Sequence, residues 1–462
     1  MKKAIYFFAS ILMLGATTSS CSSDDNNNGG GGSSSFTELT GDLTSRTLTK
    51  DKKYLIKGQT FVRTGQVLTI QPGTVIFGDK ATKGTLVIDR GGKIEANGTA
   101  AEPIVFTSAL PAGTRDRGDW GGLVILGNAN VNQVNPAIEG ISPAANFGGT
   151  NDADDSGTLR YVRVEFAGIE LTPNNETNSI TLGAVGSETE LDYCQVSFGG
   201  DDGFEWFGGT VNGKHLIAFA CWDDSFDVDF GYSGKNQFGV EVRYASYADQ
   251  SGSNSFECDN GPNDNVTDLL TTGVFSNFTC VGPKATNTQS INANYQHSID
   301  LRRRTAVTIA NSVFLGYPRG IRMNQQTVYD NFNNGNGNLL NNFLHHVGSS
   351  RYTVGTGMAA TASDVEAYWN AKGNSTNTND DFAAAIGALG MNTNVFFGSN
   401  VTTTAYSTNP NFEVAATGLL TSGASFTNAK LASLDTTTYI GAFGATDWTD
   451  GWAEFLPNAK VY

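Results

Sequence analysis

Six five-residue segments of the chain share one pattern, and the fourth residue of each carries most of the candidate chemistry. In each segment a polar residue is followed by a small residue, a large apolar residue, a polar or charged residue and an apolar residue. These segments, called pentads below, are residues 178–182, 202–206, 224–228, 254–258, 297–301 and 319–323. Their fourth residues are Thr181, Glu205, Asp227, Glu257, Asp300 and Arg322.

The spacing within a pentad predicts where these polar side chains point. If a pentad is a β-strand, its third and fifth residues face one side of the sheet and its fourth residue faces the other. Neighbouring strands lie about 4.8 Å apart. Four successive carboxylates at that distance repel one another unless they are protonated, paired with arginine or bridged by a cation.

A cation is one solution, because more oxygen donors cluster where the pentads begin and end. Carboxylate and amide oxygens suit Ca²⁺, and no cysteine or histidine is grouped with them as a transition metal would require. The predicted Ca²⁺ ligands are Glu205, Asp227, Glu257, Asp201 and Asp202, with Asn254 and Asn260 nearby. The alternative is a solvated acidic face whose partners at one end are Arg302, Arg303, Arg304 and Arg322.

The recurrence of the pentads predicts the fold that must position them. Where no insertion intervenes, their third residues recur every 22 to 24 residues, which is typical of a parallel β-helix with one turn per repeat. Short apolar segments broken by Gly or Pro extend this character back to about residue 45. We predict an all-β parallel β-helix over 36–325 and a small mixed C-terminal cap over 326–462, with an Asn-rich loop at 328–342 and short helices at 364–369 and 381–389.

Composition supports a turn-rich β protein and argues against some partners. The chain has 462 residues, of which 16% are charged and 55 are glycine. Its formal net charge is −16, and loss of Lys2 and Lys3 with a signal peptide lowers it by two, to −18. Such a charge repels nucleic acid and anionic lipid headgroups, so neither is an expected partner.

The N-terminus has the features of an export signal. Two lysines precede an apolar run that is too short to span a membrane, and small residues lead to Cys21. We predict a lipoprotein signal peptide over 1–20, lipidation at Cys21 and a flexible tether over 21–35. Residues 22–25 resemble the acidic tag that directs lipoproteins of Bacteroidota-type bacteria to the outer face of the outer membrane, which implies that the protein is lipid-anchored in the cell outer membrane and faces the exterior.

The remaining cysteines and the aromatic residues give weaker signals. Cys194, Cys221, Cys258 and Cys280 could form two disulfides in an exported protein, but buried free thiols in the repeat core are favoured. Trp120, Trp206, Trp222 and Tyr232 could stack on sugar rings. Trp206 is predicted to point inward, whereas Trp222, Asp223 and Asp224 are predicted to contact a glycan. His345 and His346 lie outside the column and are not expected to bind metal.

The repeat resembles the pectin-lyase-like superfamily of right-handed β-helices over about 45–325. The resemblance implies Ca²⁺-dependent lyases with an Arg or Lys base, or hydrolases that use carboxylates across a groove. On this chain the implied ligands or acids are Glu205, Asp227, Glu257 and Asp300, and the implied base is Arg322 or Arg302. No segment matches a lyase or polygalacturonase signature, so the fold alone does not assign an activity.

The whole mature chain resembles a group of large surface lipoproteins of Bacteroidota-type bacteria, and the resemblance is recognisable in residues 200–211, 219–240 and 249–260. That resemblance implies location more than activity. The leading hypothesis is therefore an outer-membrane lipoprotein that binds an extended ligand, a glycan, or docks to an outer-membrane protein. The alternatives are a Ca²⁺-dependent polysaccharide lyase or glycoside hydrolase, and a structural or adhesive surface protein.

Overall fold

A computed structural model describes residues 36–462 apart from 174, 287, 346–347, 379–380 and 398–405. Residues 36–462 form one compact unit, built around a right-handed parallel β-helix. The predicted signal peptide, Cys21, the tether and His346 lie outside the described residues. No helix among the described residues is long and apolar enough to cross a membrane.

The strands are short and, with one exception, pair in parallel with strands of the neighbouring turns. The exception is the antiparallel hairpin of β11 and β12. The strands are β1 (Thr37–Leu43), β2 (Arg46–Leu48), β3 (Lys53–Val62), β4 (Val67–Ile70), β5 (Val75–Gly78), β6 (Thr85–Ile88), β7 (Lys93–Asn97), β8 (Ile104–Ser108), β9 (Leu123–Leu126), β10 (Gly157–Glu165), β11 (Glu170–Thr172), β12 (Asn175–Glu176), β13 (Ile180–Gly183), β14 (Glu190–Ser197), β15 (Phe204–Phe207), β16 (Asn212–Phe219), β17 (Phe226–Asp229), β18 (Lys235–Val242), β19 (Phe256–Cys258), β20 (Val274–Val281), β21 (His297–Leu301), β22 (Thr308–Ala310), β23 (Val313–Leu315), β24 (Arg319–Met323), β25 (Asn338–Leu340), β26 (Phe343–His345), β27 (Ser350–Val354) and β28 (Ser375–Asn377).

Three stacks of strands form the faces of the solenoid. The pentads form one stack, called the pentad sheet, in which β9, β13, β15, β17, β19, β21, β24 and β27 follow one another. The long strands β10, β14, β16, β18 and β20 bend once and so contribute to both other stacks. The bend residue has positive φ, as at Tyr193 (52°) and His215 (50°).

The interior is filled by the apolar pentad positions, as the period-2 argument predicts. Phe204 stacks on Phe226 with ring centroids 6.0 Å apart, and Phe226 lies 5.0 Å from Phe256. All three rings are buried, as is Trp206. Burial of a side chain of this size stabilises the fold by roughly 1.5–3 kcal/mol, so the ladder holds the register of the turns.

The solenoid continues beyond the predicted end at residue 325. Strand β24 pairs with β27, β23 with β26, and β26 with β28. The predicted Asn-rich loop was wrong, because this stretch contains α1 (Gln326–Asn333) and β25. These turns escaped the sequence analysis because α1 interrupts the repeat and because β27 has Arg351 where each pentad has a small residue.

The last turns are covered by helices. The predicted helices are confirmed as α2 (Ala362–Ala371) and α3 (Phe382–Leu389), which begin after Thr361 and Asp381. Val365 and Trp369 of α2 and Phe332 of α1 join the interior core. They shield the final turn from water, so a cap does exist, but it is formed by the earlier part of the 326–462 region.

The rest of that region is not an end cap. Residues 406–462, called the C-terminal strap below, run back along the side of the solenoid toward its N-terminal turns. Asn311 contacts the backbone of Ser425, and Gln195 that of Glu454. Gly113, from a still earlier turn, donates to the carbonyl of Asn458. The aromatic residues that predicted a compact terminus therefore cover a lateral face.

The four described cysteines are free and buried, so the favoured prediction of reduced thiols within the core is confirmed. Burial raises the pKa of the Cys221 thiol to about 12. These thiols act as small apolar side chains between the turns.

Candidate cation and ligand site

The structure places the fourth pentad residues in one column on the outer face of the pentad sheet. Direct strand pairing joins Glu205 to Asp227, Asp227 to Glu257, and Glu257 to Asp300, and then Asp300 to Arg322. Before the acids the same column contains Phe61, Val87, Val124 and Thr181, and after Arg322 it contains Thr353. One row of the solenoid thus changes from apolar to acidic to basic.

At the C-terminal end of the column the acids are paired with arginines. Arg322 Nε lies 2.7 Å from Asp300 Oδ1. Arg302 contacts Glu257 and also donates from Nε to Asp259 Oδ1 at 3.0 Å. This end therefore matches the predicted alternative of an acidic face with arginine partners.

The N-terminal end of the column is different. No salt bridge within the described part of the chain involves its six carboxylates, which belong to Asp201, Asp202, Glu205, Asp223, Asp224 and Asp227. Together with Glu257 they form three groups, and within each group one carboxylate oxygen of every residue lies within 4.8 Å of the others. The groups are Asp201, Asp202 and Asp223; Asp202, Glu205 and Asp227; and Asp224, Asp227 and Glu257. Asp202 and Asp227 each belong to two groups, so the groups form a continuous row.

The electrostatics of the row follow from burial without counter-charge. Desolvation raises the pKa of Glu205, Asp224 and Asp227 well above their usual values, and the neighbouring carboxylates raise them further. Burial also raises the pKa of Glu257 to about 8, although Arg302 opposes the shift. The fold thus holds charges that a bound cation would compensate.

Several oxygen atoms in the row still have acceptor capacity. Asp227 Oδ1, Asp223 Oδ1 and Asn178 Oδ1 are buried and have no hydrogen-bond partner among the residues that the structure describes. Asp202 Oδ1 accepts the backbone N–H of Asp224 at 2.8 Å, which fixes one turn against the next. All of these potential metal ligands are oxygen atoms, which favours Ca²⁺ over softer metals.

The two predicted asparagines differ in their surroundings. Asn254 Nδ2 donates to Glu257 Oε2 at 3.3 Å, so its amide lies within the acidic row. Asn260 instead accepts the N–H of Thr271 at 2.6 Å and donates to the carbonyl of Val266 at 2.9 Å. Asn260 therefore organises the 261–271 loop.

The predicted glycan platform at Trp222 is partly covered. The guanidinium carbon of Arg117 lies 3.4 Å from the centre of the Trp222 ring, and the indole Nε1 donates to Asp249 Oδ1 at 2.9 Å. Asp223 accepts from Ser251 at 2.7 Å, and Asp224 is buried in the acidic row. Trp222, Asp223 and Asp224 therefore do not form one open surface. Arg117 and Asp249, which cover part of Trp222, come from distant loops, so the sequence pattern could not predict these contacts.

Other aromatic and histidine candidates are interior. Trp120 and Tyr232 are fully buried and cannot stack on a sugar, so that possibility was wrong. Tyr232 OH donates to the carbonyl of Val211, which explains how its hydroxyl tolerates the core. Burial lowers the pKa of His345 to about 4.

The implied arginine bases are both engaged. Arg322 is held by Asp300 and Arg302 by Glu257 and Asp259. The contacts with Asp259 and Glu257 raise the pKa of Arg302. Both guanidinium groups are held by carboxylates, so the lyase chemistry implied by the resemblance finds no unengaged arginine at these positions.

Sequence reasoning missed a pocket of about 280 Å³ beside Glu205. Its floor includes Asn178 and Phe207, and its walls come from the 131–147 insertion and from the β11–β12 hairpin. Phe207 could have been found, because it lies two residues after Glu205 and so shares its face of the sheet. The 131–147 insertion does not follow the repeat, so the sequence could not predict that it lines the pocket.

The comparison with protein families agrees with this architecture. A family model described as a pectate-lyase-like β-helix domain matches residues 41–453. The match includes the strap as well as the turns of the solenoid. No curated protein and no solved structure matches the chain.

Proposed function

The chain belongs to the family of pectate-lyase-like β-helix domains, and from this premise we propose that it binds an extended glycan with the help of Ca²⁺. The family fits a carbohydrate-related role in general. The observation that carries the proposal is the row of six buried or half-buried carboxylates that have no salt-bridge partner among the described residues and that form, together with Glu257, three overlapping groups. A cation compensates that charge, and a solenoid presents it along an extended surface.

The central group is the best candidate ligand set. Asp202, Glu205 and Asp227 approach one another, and Asp227 Oδ1 has no other partner among the described residues. Ca²⁺ takes about six to eight oxygen ligands, so three carboxylates leave positions for water or for sugar oxygens. When bound, the ion would connect the protein to hydroxyl or carboxylate groups of a glycan.

The proposed location follows from the N-terminal sequence. We infer export, lipidation at Cys21 and display on the exterior of the outer membrane through the 21–35 tether. The basic pair, the short apolar run and the small residues before Cys21 support this proposal. A tethered glycan-binding surface or a docking face for an outer-membrane protein would both operate at that location.

A polysaccharide lyase or glycoside hydrolase is the second candidate. The observation that favours it is Glu257, whose pKa is raised to about 8 by burial. A carboxyl group that keeps its proton at neutral pH can act as a general acid. Its contact with Arg302 distinguishes this residue from the six unpaired acids.

The first test is a calorimetric titration of Ca²⁺ into residues 36–462, which form one compact unit. The Glu205→Gln, Asp227→Asn double variant removes two central ligands while keeping side-chain size. The matched control is the Asp300→Asn, Arg322→Gln double variant, which changes the paired end of the same column. We expect binding in the wild type and the control, and loss of binding in the first variant.

Absence of heat in the wild type, or equal binding by all three proteins, contradicts the cation site. The glycan is then tested by titrating polysaccharides in Ca²⁺ and in chelator. Binding that requires Ca²⁺ supports the leading proposal, whereas release of shorter products identifies an enzyme. No binding of any polysaccharide favours a structural or adhesive role.

A further inference from the structure

The pocket beside Glu205 has a chemical character of its own. Four carboxylate side chains line it, from Glu139, Glu176, Asp201 and Glu205, and no lysine, arginine or histidine among the described residues belongs to its lining. The pocket thus attracts positive charge.

The opposite wall is aromatic and gives no ligand to a metal ion. The rings of Phe207 and Phe230 lie 5.1 Å apart, and Phe147 lies 6.1 Å from Phe207. Phe207 and Phe230 are only partly buried, so part of each side chain is accessible from the pocket. Aromatic faces attract ammonium groups, with energies that increase when the site excludes water.

A buried acceptor supplies a second, independent indication of a ligand. The side chain of Asn178 lines the pocket, and the residue is 5% exposed. Its Nδ2 donates to Glu205 and to Thr181 Oγ1, while its Oδ1 has no partner within the described part of the chain. A buried amide oxygen without a donor is costly, so a ligand N–H or O–H would satisfy it.

The size of the pocket limits what can enter. Its volume of about 280 Å³ falls just below the roughly 300–1,000 Å³ of most small-molecule sites. That space is larger than a single ion requires and suits one ring-sized group. Apolar walls combined with oxygen acceptors are suited to a sugar ring, which has apolar C–H faces and polar edges.

We propose that this pocket binds an amine-bearing sugar residue of the glycan, with its ammonium group between the acidic and aromatic walls. This inference rests on the proposed glycan binding and specifies the substrate class. The Asn178 amide oxygen accepts a hydrogen bond from the sugar. Asp201 and Glu205 belong to the carboxylate groups that would bind Ca²⁺, so the ammonium group lies against Glu139 and Glu176 and against the rings of Phe207 and Phe230, which give no ligand to a metal ion.

The test compares three oligosaccharides of equal length in the presence of Ca²⁺, made of glucosamine, of N-acetylglucosamine and of glucose. We expect the glucosamine oligomer to bind about tenfold more tightly than the other two, which corresponds to about 1.4 kcal/mol. Methylammonium serves as a free amine, and we expect it to bind much more weakly because it lacks the sugar ring. Calorimetry gives each dissociation constant.

Two variants locate the binding. Phe230→Leu removes an aromatic wall, and Glu176→Gln removes a charge outside the three carboxylate groups. Each should reduce the preference for glucosamine to less than about threefold without changing Ca²⁺ binding. Glu188→Gln, at an exposed position outside the pocket lining, is the matched charge control and should keep the preference.

The outcomes separate this inference from the proposed function. Equal affinity for the three oligomers overturns the amine preference but leaves Ca²⁺-dependent glycan binding intact. Glucosamine preference that survives both pocket variants, with thermal unfolding unchanged, also overturns it. Lack of binding by every oligomer and polysaccharide contradicts both proposals, whereas equal binding of methylammonium and the glucosamine oligomer assigns the pocket to free amines instead.

Discussion

Asp300 and Asp227 occupy the same position in different turns of the solenoid, yet their charges are compensated differently. Arg322, one turn beyond Asp300, forms an ion pair with it. Asp227 has only acidic neighbours in the column, Glu205 before it and Glu257 after it. The residue in the next turn therefore decides whether a carboxylate in this column needs a cation from solution.

The paired end gives a direct prediction at the residue scale. Arg322→Gln leaves the buried Asp300 carboxylate without its charged partner, which should lower the free energy of unfolding by about 3 kcal/mol. We place the loss at the lower end of the usual range because 28% of the Arg322 side chain is exposed. Denaturant unfolding measures the loss.

The Asp300→Asn, Arg322→Gln double variant is its control. Because the double variant removes both charges, it should recover most of the lost stability. If Arg322→Gln alone is as stable as the wild type, the ion pair contributes nothing and the column end is simply solvated.

At this scale the sequence predicted the column but not its partners. Period 2 places Glu205 and Asp227 on one face from their positions alone. It could not show that Arg302 turns toward Glu257 while no arginine reaches Glu205. The sequence also could not predict that Glu241 lies buried in the interior. Its hydrogen-bond donors, Ser225 and Tyr317, come from other turns.

At the scale of elements, the strap is attached by paired backbone contacts at two buried glutamines. Gln195 donates to the carbonyl of Glu454 at 2.7 Å and accepts its N–H at 2.9 Å. Gln237 makes the same two contacts with Asp435, at 2.7 and 2.9 Å. Each glutamine side chain thus pairs with the backbone N–H and C=O of one strap residue, as a neighbouring strand would.

We predict that the Gln195→Ala, Gln237→Ala variant releases the strap before the solenoid unfolds. The variant loses four partly buried hydrogen bonds, each of which contributes about 0.5–1.5 kcal/mol to holding the strap on the solenoid. Limited proteolysis should then cut within residues 406–462 while the turns remain protected. Mass spectrometry of the fragments locates the cuts.

Leu419→Ala serves as the control, because this strap residue is 53% exposed and should not affect cleavage. Simultaneous loss of strap and solenoid protection in the glutamine variant would show instead that they unfold as one unit.

The elements also show why the end of the solenoid was placed too early. Strands β25 and β26 are three residues each, and helix α1 separates β25 from β24. The next strand of the pentad sheet, β27, has Arg351 where each pentad has a small residue, so it does not fit the pattern. The helices α2 and α3, by contrast, have Thr361 and Asp381 as N-caps, a local signal that the sequence contains in full.

At the scale of the whole molecule, the chain has a net charge of −16 and holds a row of neighbouring carboxylates on the outer face of a rigid repeat. Each turn is fixed by parallel pairing and by the aromatic ladder, so the carboxylates cannot separate to relieve their repulsion. In the metal-free protein the relief must come from protons, and this makes the stability of the entire fold depend on pH.

That dependence gives the last prediction. Asp229 and Glu257 have pKa values raised to about 7 and about 8, whereas they titrate near 3.8 and 4.5 when unfolded. The folded state therefore holds more protons than the unfolded state, and the free energy of unfolding falls as pH rises toward about 9. His297 and His345, with pKa values lowered to about 3 and about 4, are neutral when folded and mostly neutral when unfolded above about pH 7.

The melting temperature should therefore decrease between about pH 7 and about pH 9 in chelator. Ca²⁺ at about 100 times its dissociation constant at about pH 7 should add about 2.7 kcal/mol to the free energy of unfolding at that pH. The same Ca²⁺ concentration should add more at about pH 9, because fewer protons compete for the carboxylates. The Glu205→Gln, Asp227→Asn variant should show a flatter profile and no gain from Ca²⁺. A melting temperature that rises with pH in chelator, or a gain from Ca²⁺ that the variant retains, would mean that the column does not carry the uncompensated charge of the fold.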